Sequence, residues 1–327
     1  QNLLQNLQAE AQKLENEENA YRQKVMNENP GTLLASIVKF SAPLPPPPTS
    51  IMQDQSKLMM YSIEHAFDHF DFKDGRLGTT PMAMDRLIYT CSNLFYLDPS
   101  QSPEPAVRLL NKLQANADNY HAFFNVMETA FGTIGVSFWT EEIYLAMLKN
   151  ALDYSQLEER RVKYYQQVYE LQSKNLAGMQ IPDIHIQWGD SSRSSLYAVE
   201  SEFTLLYLQN PDCHTCTAVR GYLAANEDLN RAIESGKLKV VTLYFDKDEA
   251  LWQRYLKTKA NPKYLHGWDY NGEIDAGLLF DLRAIPVIFL LDKDKRVIKK
   301  NIAQFGGDAD NVTIFGQSAG GGSVRTI

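Results

Sequence analysis

Two cysteines, Cys213 and Cys216, stand at C-x-x-C spacing, a pattern typical of thiol pairs that exchange electrons with a disulfide. The mainly apolar residues 203–208 predict a buried strand before them, and Pro211 marks a turn. Because the following residues favour a helix, we expect Cys213 at its first turn. Unpaired N–H groups and the helix dipole stabilise a thiolate there, which makes the sulfur a nucleophile. Cys216, one turn on, can then reach the first sulfur.

Zinc binding is the main alternative for such a pair, because zinc fingers use the same spacing. Zinc would need two more ligands, but the remaining cysteine, Cys91, lies in a distant apolar stretch and is expected to be buried. His65 and His69 lie four residues apart beside Glu64 and Asp68, in a region predicted as helix, which would put two imidazoles on one face. Their order is not H-E-x-x-H, and no third ligand is placed. We therefore predict no metal and no other cofactor.

The residues downstream of the cysteines predict an α/β arrangement. A second strand is expected at 238–245, and a helix opened by an acidic cap at 248–257. Two more strands are expected within 280–298, and Pro286 stands at the start of the first, where no ladder donor is needed. Trp268 is expected in the loop ahead of that strand, either beside the thiols or in ordinary packing.

Residues 178–300 resemble a thioredoxin-fold domain of the TlpA/ResA-like or peroxiredoxin-like branch. Cys213 and Cys216, with His and Thr between them, occupy the active-site position of that family. The pair Ile285-Pro286 matches its isoleucine and cis-proline. The two motifs lie about seventy residues apart, each in the strand and helix context that the family uses.

The resemblance implies a site and a reaction. It assigns the catalytic roles to Cys213, Cys216 and Pro286, whose preceding peptide bond would be cis. It assigns contact with an extended substrate to Ile285, His214 and Thr215. In the implied reaction a protein thiol or disulfide is the partner: the first sulfur attacks, a mixed disulfide forms, and the second sulfur resolves it.

Two departures from the thioredoxin pattern support a rival hypothesis. Thioredoxins carry a tryptophan before the first cysteine, where this chain has Asp212, and a buried acid where this chain has Tyr207. Without that acid the second thiol lacks its usual proton acceptor. The rival is therefore a redox-inactive protein that binds partners or has a structural role on a thioredoxin frame.

The first half of the chain predicts helices. An amphipathic helix is expected at 1–28 and a short one at 33–40, before a proline-rich spacer at 43–48 that reads as a rigid strut more than as an SH3-type ligand. Further helices are expected at 81–95, 105–114, 117–131, 141–153 and 157–172. Residues 1–177 resemble the DUF5106-type helical region of Bacteroidetes envelope proteins. The expected fold class is therefore α+α/β, an all-helical domain followed by a thioredoxin-like domain with a mixed sheet.

Charge and hydropathy exclude some functions. A net charge of −8 and a pI near 5.3, with no cluster of Lys and Arg, argue against nucleic acid as a partner. No run of eighteen apolar residues is present, so we expect no transmembrane segment in this chain. It begins at Gln1, which fits a processed or trimmed chain with any export signal removed. The resemblance implies a periplasmic or outer-membrane-associated location.

Residues 301–327 change in character. The segment Gly316-Gln-Ser318-Ala-Gly320 has the G-x-S-x-G pattern of a nucleophile elbow, and the stretch 301–324 resembles a fragment of the carboxylesterase family. That chemistry needs an acid and a histidine after the serine, and no His, Asp or Glu follows Ser318. We therefore expect an inactive, foreign tail.

Overall fold

The computed structural model of the protein describes residues 2–133 and 138–300. The chain forms two compact units that divide between Val162 and Lys163. The first unit is helical, and all the β-strands of the described residues lie in the second. The predicted α+α/β class is confirmed, whereas the predicted boundary at 177/178 stays a prediction. The tail with Ser318 lies outside the described residues.

Eight α-helices cover the described residues as far as position 172. Every helix predicted there is present, with ends that differ by two residues at most. Four helices begin at a side chain that accepts a hydrogen bond from the first turn, which is why they start where they do: Thr32, Asp54, Thr80 and Asn116. The helices are α1 (Asn2–Glu28), α2 (Leu33–Phe40), α3 (Gln55–His65), α4 (Pro81–Tyr96), α5 (Pro103–Leu113), α6 (Ala117–Gly132), α7 (Glu141–Leu152) and α8 (Glu159–Gln172).

Aromatic rings form much of the helical unit's core. The ring centroids of Phe67, Phe70 and Phe123 lie 5.4–5.7 Å apart, within the range that favours edge contacts. Cys91 on α4 is completely buried, as predicted, and burial raises the pKa of its thiol to about 12. This thiol is therefore a packing group.

A buried amide holds the loop between α3 and α4. Asn119 on α6 is fully buried and accepts a hydrogen bond from the backbone N–H of Gly78 at 2.9 Å. Its Nδ2 donates to the carbonyl oxygens of Phe72 at 3.2 Å and Asp74 at 3.1 Å. A single side chain thus satisfies three backbone groups of one loop.

Replacing Asn119 with alanine is expected to lower the free energy of unfolding by about 2–4 kcal/mol, because one buried and two partly buried backbone groups lose their partner. Asn125→Ala on the same helix is the matched control. Its side chain is exposed, and we expect a change of at most about 0.5 kcal/mol. Denaturant unfolding of the full chain measures both variants. Equal effects would mean that Asn119 does not hold the loop.

The predicted histidine pair does not share a helix face. The helix α3 ends at His65, and His69 lies in the turn that follows, so the prediction of one face was wrong. The Nδ1 atom of His65 lies 2.5 Å from a carboxylate oxygen of Asp68, while Nε2 of His69 lies 3.3 Å from the carbonyl oxygen of Pro43. The two imidazoles therefore have separate partners.

The proline-rich spacer lies against the helical unit. The hydroxyl of Tyr61 on α3 hydrogen-bonds the carbonyl oxygens of Pro45 and Pro46 at 3.1 and 3.2 Å. Proline has no backbone N–H, so its carbonyl oxygen is the only backbone group that can form a hydrogen bond. These contacts favour the strut interpretation.

The second unit contains a seven-stranded mixed sheet of order β2-β1-β5-β4-β3-β6-β7. Its interior strand β3 pairs parallel with β4 and antiparallel with β6. The strands are β1 (His185–Trp188), β2 (Arg193–Ser195), β3 (Phe203–Leu208), β4 (Leu238–Tyr244), β5 (Leu265–Trp268), β6 (Val287–Asp292) and β7 (Val297–Lys300). The helices are α9 (His214–Ala225), α10 (Glu227–Glu234), α11 (Glu249–Thr258) and α12 (Glu273–Ala276).

Trp268 is a strand residue, so its predicted place in a loop was wrong. It ends β5, is 8% exposed, and packs in a cluster with Tyr244 and Trp252. Its ring N–H donates to the carbonyl oxygen of Asp246 at 2.8 Å. These contacts give Trp268 a packing role in the sheet.

Candidate active site

The register of the sheet brings the two sequence motifs together. Leu208, the last residue of β3, pairs with Val287, the first residue of the antiparallel strand β6. The C-x-x-C segment follows β3 directly, and Pro286 directly precedes β6. Both motifs therefore lie at the same edge of the sheet.

Cys213 is the N-cap residue of α9. Its sulfur accepts a hydrogen bond from the backbone N–H of Cys216 at 3.2 Å. Such a bond and the positive end of a twelve-residue helix both favour negative charge on this sulfur. The residue is half-buried. Its Sγ also lies 4.0 Å from the carbonyl oxygen of Ile285.

Cys216 differs from Cys213 in exposure. It is completely buried on the first turn of α9, and both cysteines are free thiols in this structure. Burial, together with a hydrogen bond to the Cys213 side chain, raises the pKa of the Cys216 thiol to about 12. Cys216 is therefore protonated near neutral pH and has to lose a proton before it can attack.

Tyr207 fills the position where thioredoxins have a buried acid. It is fully buried on β3, and its hydroxyl donates to the carbonyl oxygen of Cys216 at 2.7 Å. Burial raises the pKa of this phenol. The hydroxyl therefore stays protonated and supports the first turn of α9 as a hydrogen-bond donor.

The Ile285–Pro286 peptide bond is cis, as the resemblance implies. Two hydrogen bonds within the second unit hold the loop that precedes this peptide bond. Nζ of Lys174 donates to the carbonyl oxygen of residue 278 at 2.7 Å, and Nδ2 of Asn175 donates to that of residue 279 at 2.7 Å. Asp281 and Arg283 form a bidentate pair in the same loop at 2.8–2.9 Å. Burial would raise the pKa of Asp281, but the bonds from Arg283 outweigh it and lower that pKa.

The residues between the cysteines face solvent. His214 and Thr215 are both exposed on the first turn of α9. Asp212, which replaces the family's tryptophan, is 3.9 Å from both Arg254 and Lys259. Its negative charge beside Cys213 is thus partly balanced by two cations.

Sequence reasoning missed a basic side chain near Cys213 and Cys216. Arg220 follows Cys216 by four residues, which places it one helical turn away. It hydrogen-bonds Gln209, a fully buried residue just after β3. The i, i+4 spacing was the available signal, but it says nothing of the partners that hold the guanidinium.

Neither a metal cluster nor a membrane helix occurs in the part of the chain that the structure describes. There, no group of three or more His, Cys, Asp or Glu side chains is arranged to hold a metal ion. The helices within residues 2–133 and 138–300 are too short or too polar to cross a bilayer.

Family models match both ends of the chain. A model of a domain of unknown function, DUF5106, matches residues 6–175, which is just over half of the chain. A model of the carboxylesterase family matches residues 296–327. Both resemblances expected from the sequence are therefore confirmed. No curated protein matches the chain.

Solved structures identify the fold. A thioredoxin-like protein from Bacteroides caccae has a TM-score of 0.74 and 22% identity over 80% of this chain and 94% of its own. The C-terminal domain of an uncharacterized protein from Bacteroides fragilis is 31% identical over 41% and 94%, with a TM-score of 0.39. The thioredoxin domain of a thiol-disulfide oxidoreductase from Bacteroides vulgatus is 16% identical over 39% and 89%, with a TM-score of 0.33. The first of these establishes a thioredoxin-like fold.

Proposed function

The chain belongs to the DUF5106 family, and we propose that this member is a thiol–disulfide oxidoreductase that exchanges disulfides with a protein partner through Cys213 and Cys216. The observation that carries the proposal is the place of the Cys213 sulfur. It caps α9, is half-buried, and lies 4.0 Å from the carbonyl oxygen next to the cis peptide bond.

Each step of the proposed reaction has a residue to perform it. The Cys213 thiolate attacks one sulfur of the partner's disulfide, a Cys213–partner bond forms, and the other partner sulfur leaves as a thiolate that takes up a proton. Cys216 then gives up its proton to solvent and attacks the Cys213 sulfur, and the partner sulfur that leaves takes up a proton. The Cys213–Cys216 disulfide forms, the Cys213–partner bond breaks, and two electrons have passed to the partner.

The surroundings of the sulfur suit an extended partner segment. The backbone of Ile285 borders the Cys213 sulfur, and the exposed His214 and Thr215 flank it on the helix. An extended chain that pairs with the backbone of residue 285 would bring its disulfide to Cys213.

Replacing Cys216 with serine should trap the mixed disulfide, because the resolving sulfur is gone. We expect the purified C216S chain, mixed with a disulfide-bonded protein such as insulin, to accumulate a covalent adduct that dithiothreitol removes. Wild type should not accumulate it, and peptide mapping should place the bond at Cys213. Absence of an adduct from C216S under conditions where wild type reduces the same substrate would contradict the proposed sequence of steps.

We further propose that the chain acts in the cell envelope, as the family resemblance implies. Residues 178–300 would carry the exchange reaction, and the helical residues 1–177 would recruit or position the partner. Fractionation of cells that express the natural protein tests the location. Recovery with the cytoplasmic fraction would contradict it.

One observation favours the rival, a redox-inactive binding protein. Cys216 is fully buried with a pKa near 12, and Tyr207 replaces the acid that would accept its proton. A redox titration separates the two. An exchanging pair equilibrates reversibly at roughly −120 to −270 mV, whereas a structural disulfide resists reduction at these potentials.

A further inference from the structure

We propose that Arg220 is a positioning residue for the exchange reaction, whose positive charge stabilises the thiolate of Cys216 during resolution of the mixed disulfide. The inference rests on the proposed function. It assigns to a cation the stabilisation of the Cys216 thiolate, while the proton that the missing buried acid would accept passes to solvent.

Four neighbours hold the guanidinium of Arg220 beside the C-x-x-C segment. One of its nitrogens donates to the side-chain oxygen of Gln209. The other donates to Oγ1 of Thr217 at 2.7 Å and to the carbonyl oxygen of Pro211 at 3.3 Å. Its central carbon lies 5.3 Å from the ring centre of Tyr255. The charge is therefore fixed in place by residues on both sides of the two cysteines.

The positive charge of Arg220 is not neutralised by these partners. All four are uncharged, and in the described residues no carboxylate pairs with this guanidinium. Gln209 and Tyr255 are at most 1% exposed, so water screens the charge weakly on that side. An unpaired cation in such surroundings favours a nearby anion.

The other ionisable groups near Cys216 supply no comparable stabilisation. Burial raises the pKa values of the Tyr207 and Tyr255 phenols, so both stay protonated. Burial lowers the pKa of His266, the hydrogen-bond partner of Tyr255, so this imidazole stays neutral. Asp212 lies 3.9 Å from both Arg254 and Lys259, and all three side chains are exposed, so water screens their charges.

Formation of the mixed disulfide changes which neighbouring groups affect the pKa of Cys216. The hydrogen bond and charge of Cys213 both raise the pKa of Cys216, while Arg220 lowers it. Once the Cys213 sulfur is bonded to the partner, it carries neither a proton nor a charge, and both of its effects vanish. Arg220 then remains as the charged group that favours the attacking thiolate, at the step where that thiolate is needed.

A two-step release of thionitrobenzoate tests this role. In excess dithiobis(nitrobenzoate), attack by Cys213 releases the first thionitrobenzoate, and attack by Cys216 on the mixed disulfide releases the second. We expect Arg220→Gln to slow the second release about tenfold near neutral pH, because loss of an opposite charge raises a thiol pKa by about one unit or more. The rate of the first release in Arg220→Gln should differ from that of wild type by less than about threefold. Cys91 is buried and should not contribute.

The pH profile and a charge-preserving variant separate an electrostatic role from a structural one. The rate of the second release should rise with pH, and the Arg220→Gln curve should be displaced by about one pH unit to higher pH. Arg220→Lys should restore the wild-type rate to within about threefold, since it keeps the charge. Arg231→Gln, on the outer face of α10 where Arg231 pairs with Asp228, is the matched control and should behave as wild type.

The outcomes distinguish this inference from the proposed function. If Arg220→Gln resolves at the wild-type rate at every pH, or if Arg220→Lys is as slow as Arg220→Gln, the role of the charge is refuted while the exchange function stands. If wild type gives no second release and Cys216→Ser traps no adduct, both are refuted.

Discussion

Replacing Cys213 with serine is expected to lower the rate of disulfide exchange by about a thousandfold or more, the scale of effect seen when an enzyme loses its nucleophile. A serine hydroxyl is nearly isosteric with the thiol and can still cap α9, but it does not ionise near neutral pH. The loss would therefore be chemical and leave the fold intact. Turnover of a disulfide-bonded protein substrate, with glutathione as the electron source, measures it.

The third cysteine provides the control for this experiment. Cys91→Ala removes a thiol that is buried in the helical unit, and we expect turnover within about twofold of wild type. Loss of activity in both variants would point to a general effect on folding. Turnover by C213S that equals wild type would end the oxidoreductase proposal and leave the binding-protein hypothesis.

The strands and helices next to the cysteines could be predicted because their residue patterns are strong. The strand β3 is predicted at 203–208 and lies there, since a mainly apolar run closed by a turn suits a strand buried on both faces. The helix α9 begins where the sequence placed it, with Cys213 as its cap. Pro286 fixed the start of β6 because proline cannot donate to a sheet ladder.

The strands β2 and β5 could not be predicted, because they are short and lack alternation. The strand β2 is three polar residues, Arg193–Ser195, whose place depends on pairing with β1. In β5 a glycine interrupts the pattern, and the packing explains it: a Cβ on Gly267 would lie 2.5 Å from Cγ2 of Ile186. The neighbouring strand, and not local propensity, therefore requires that glycine.

The sequence predicts which residues form the candidate site, but it does not predict their unequal environments. C-x-x-C spacing places both sulfurs on one helical turn, yet it does not say that Cys213 is half-buried and Cys216 completely buried. That difference arises from packing of Cys216 against β3 and β6, in a cluster with Leu205 and Ile288. The position of Arg220 likewise depends on Gln209, which only the folded sheet brings near.

The second large effect concerns Tyr207, whose hydroxyl donates to the carbonyl oxygen of Cys216. We expect Tyr207→Ala to lower the free energy of unfolding by about 3–5 kcal/mol, because it empties a fully buried aromatic site. Tyr207→Phe keeps the ring and loses only the hydrogen bond to Cys216, so about 1 kcal/mol is expected. Denaturant unfolding of the full chain measures both. Tyr222→Ala is the control, because this side chain on α9 is 52% exposed. It should lower the free energy of unfolding clearly less than Tyr207→Ala does.

The same phenylalanine variant tests how the buried tyrosine affects exchange. The Tyr207 hydroxyl donates to a backbone carbonyl, and its raised pKa keeps it protonated, so it is not suited to accept the proton of Cys216. We therefore expect Tyr207→Phe to exchange disulfides within about threefold of wild type. If this variant folds but loses exchange, the hydroxyl takes part in proton transfer. The resolving thiol would then depend on a phenol where thioredoxins use a carboxylate, and the role proposed for Arg220 would need a partner in Tyr207.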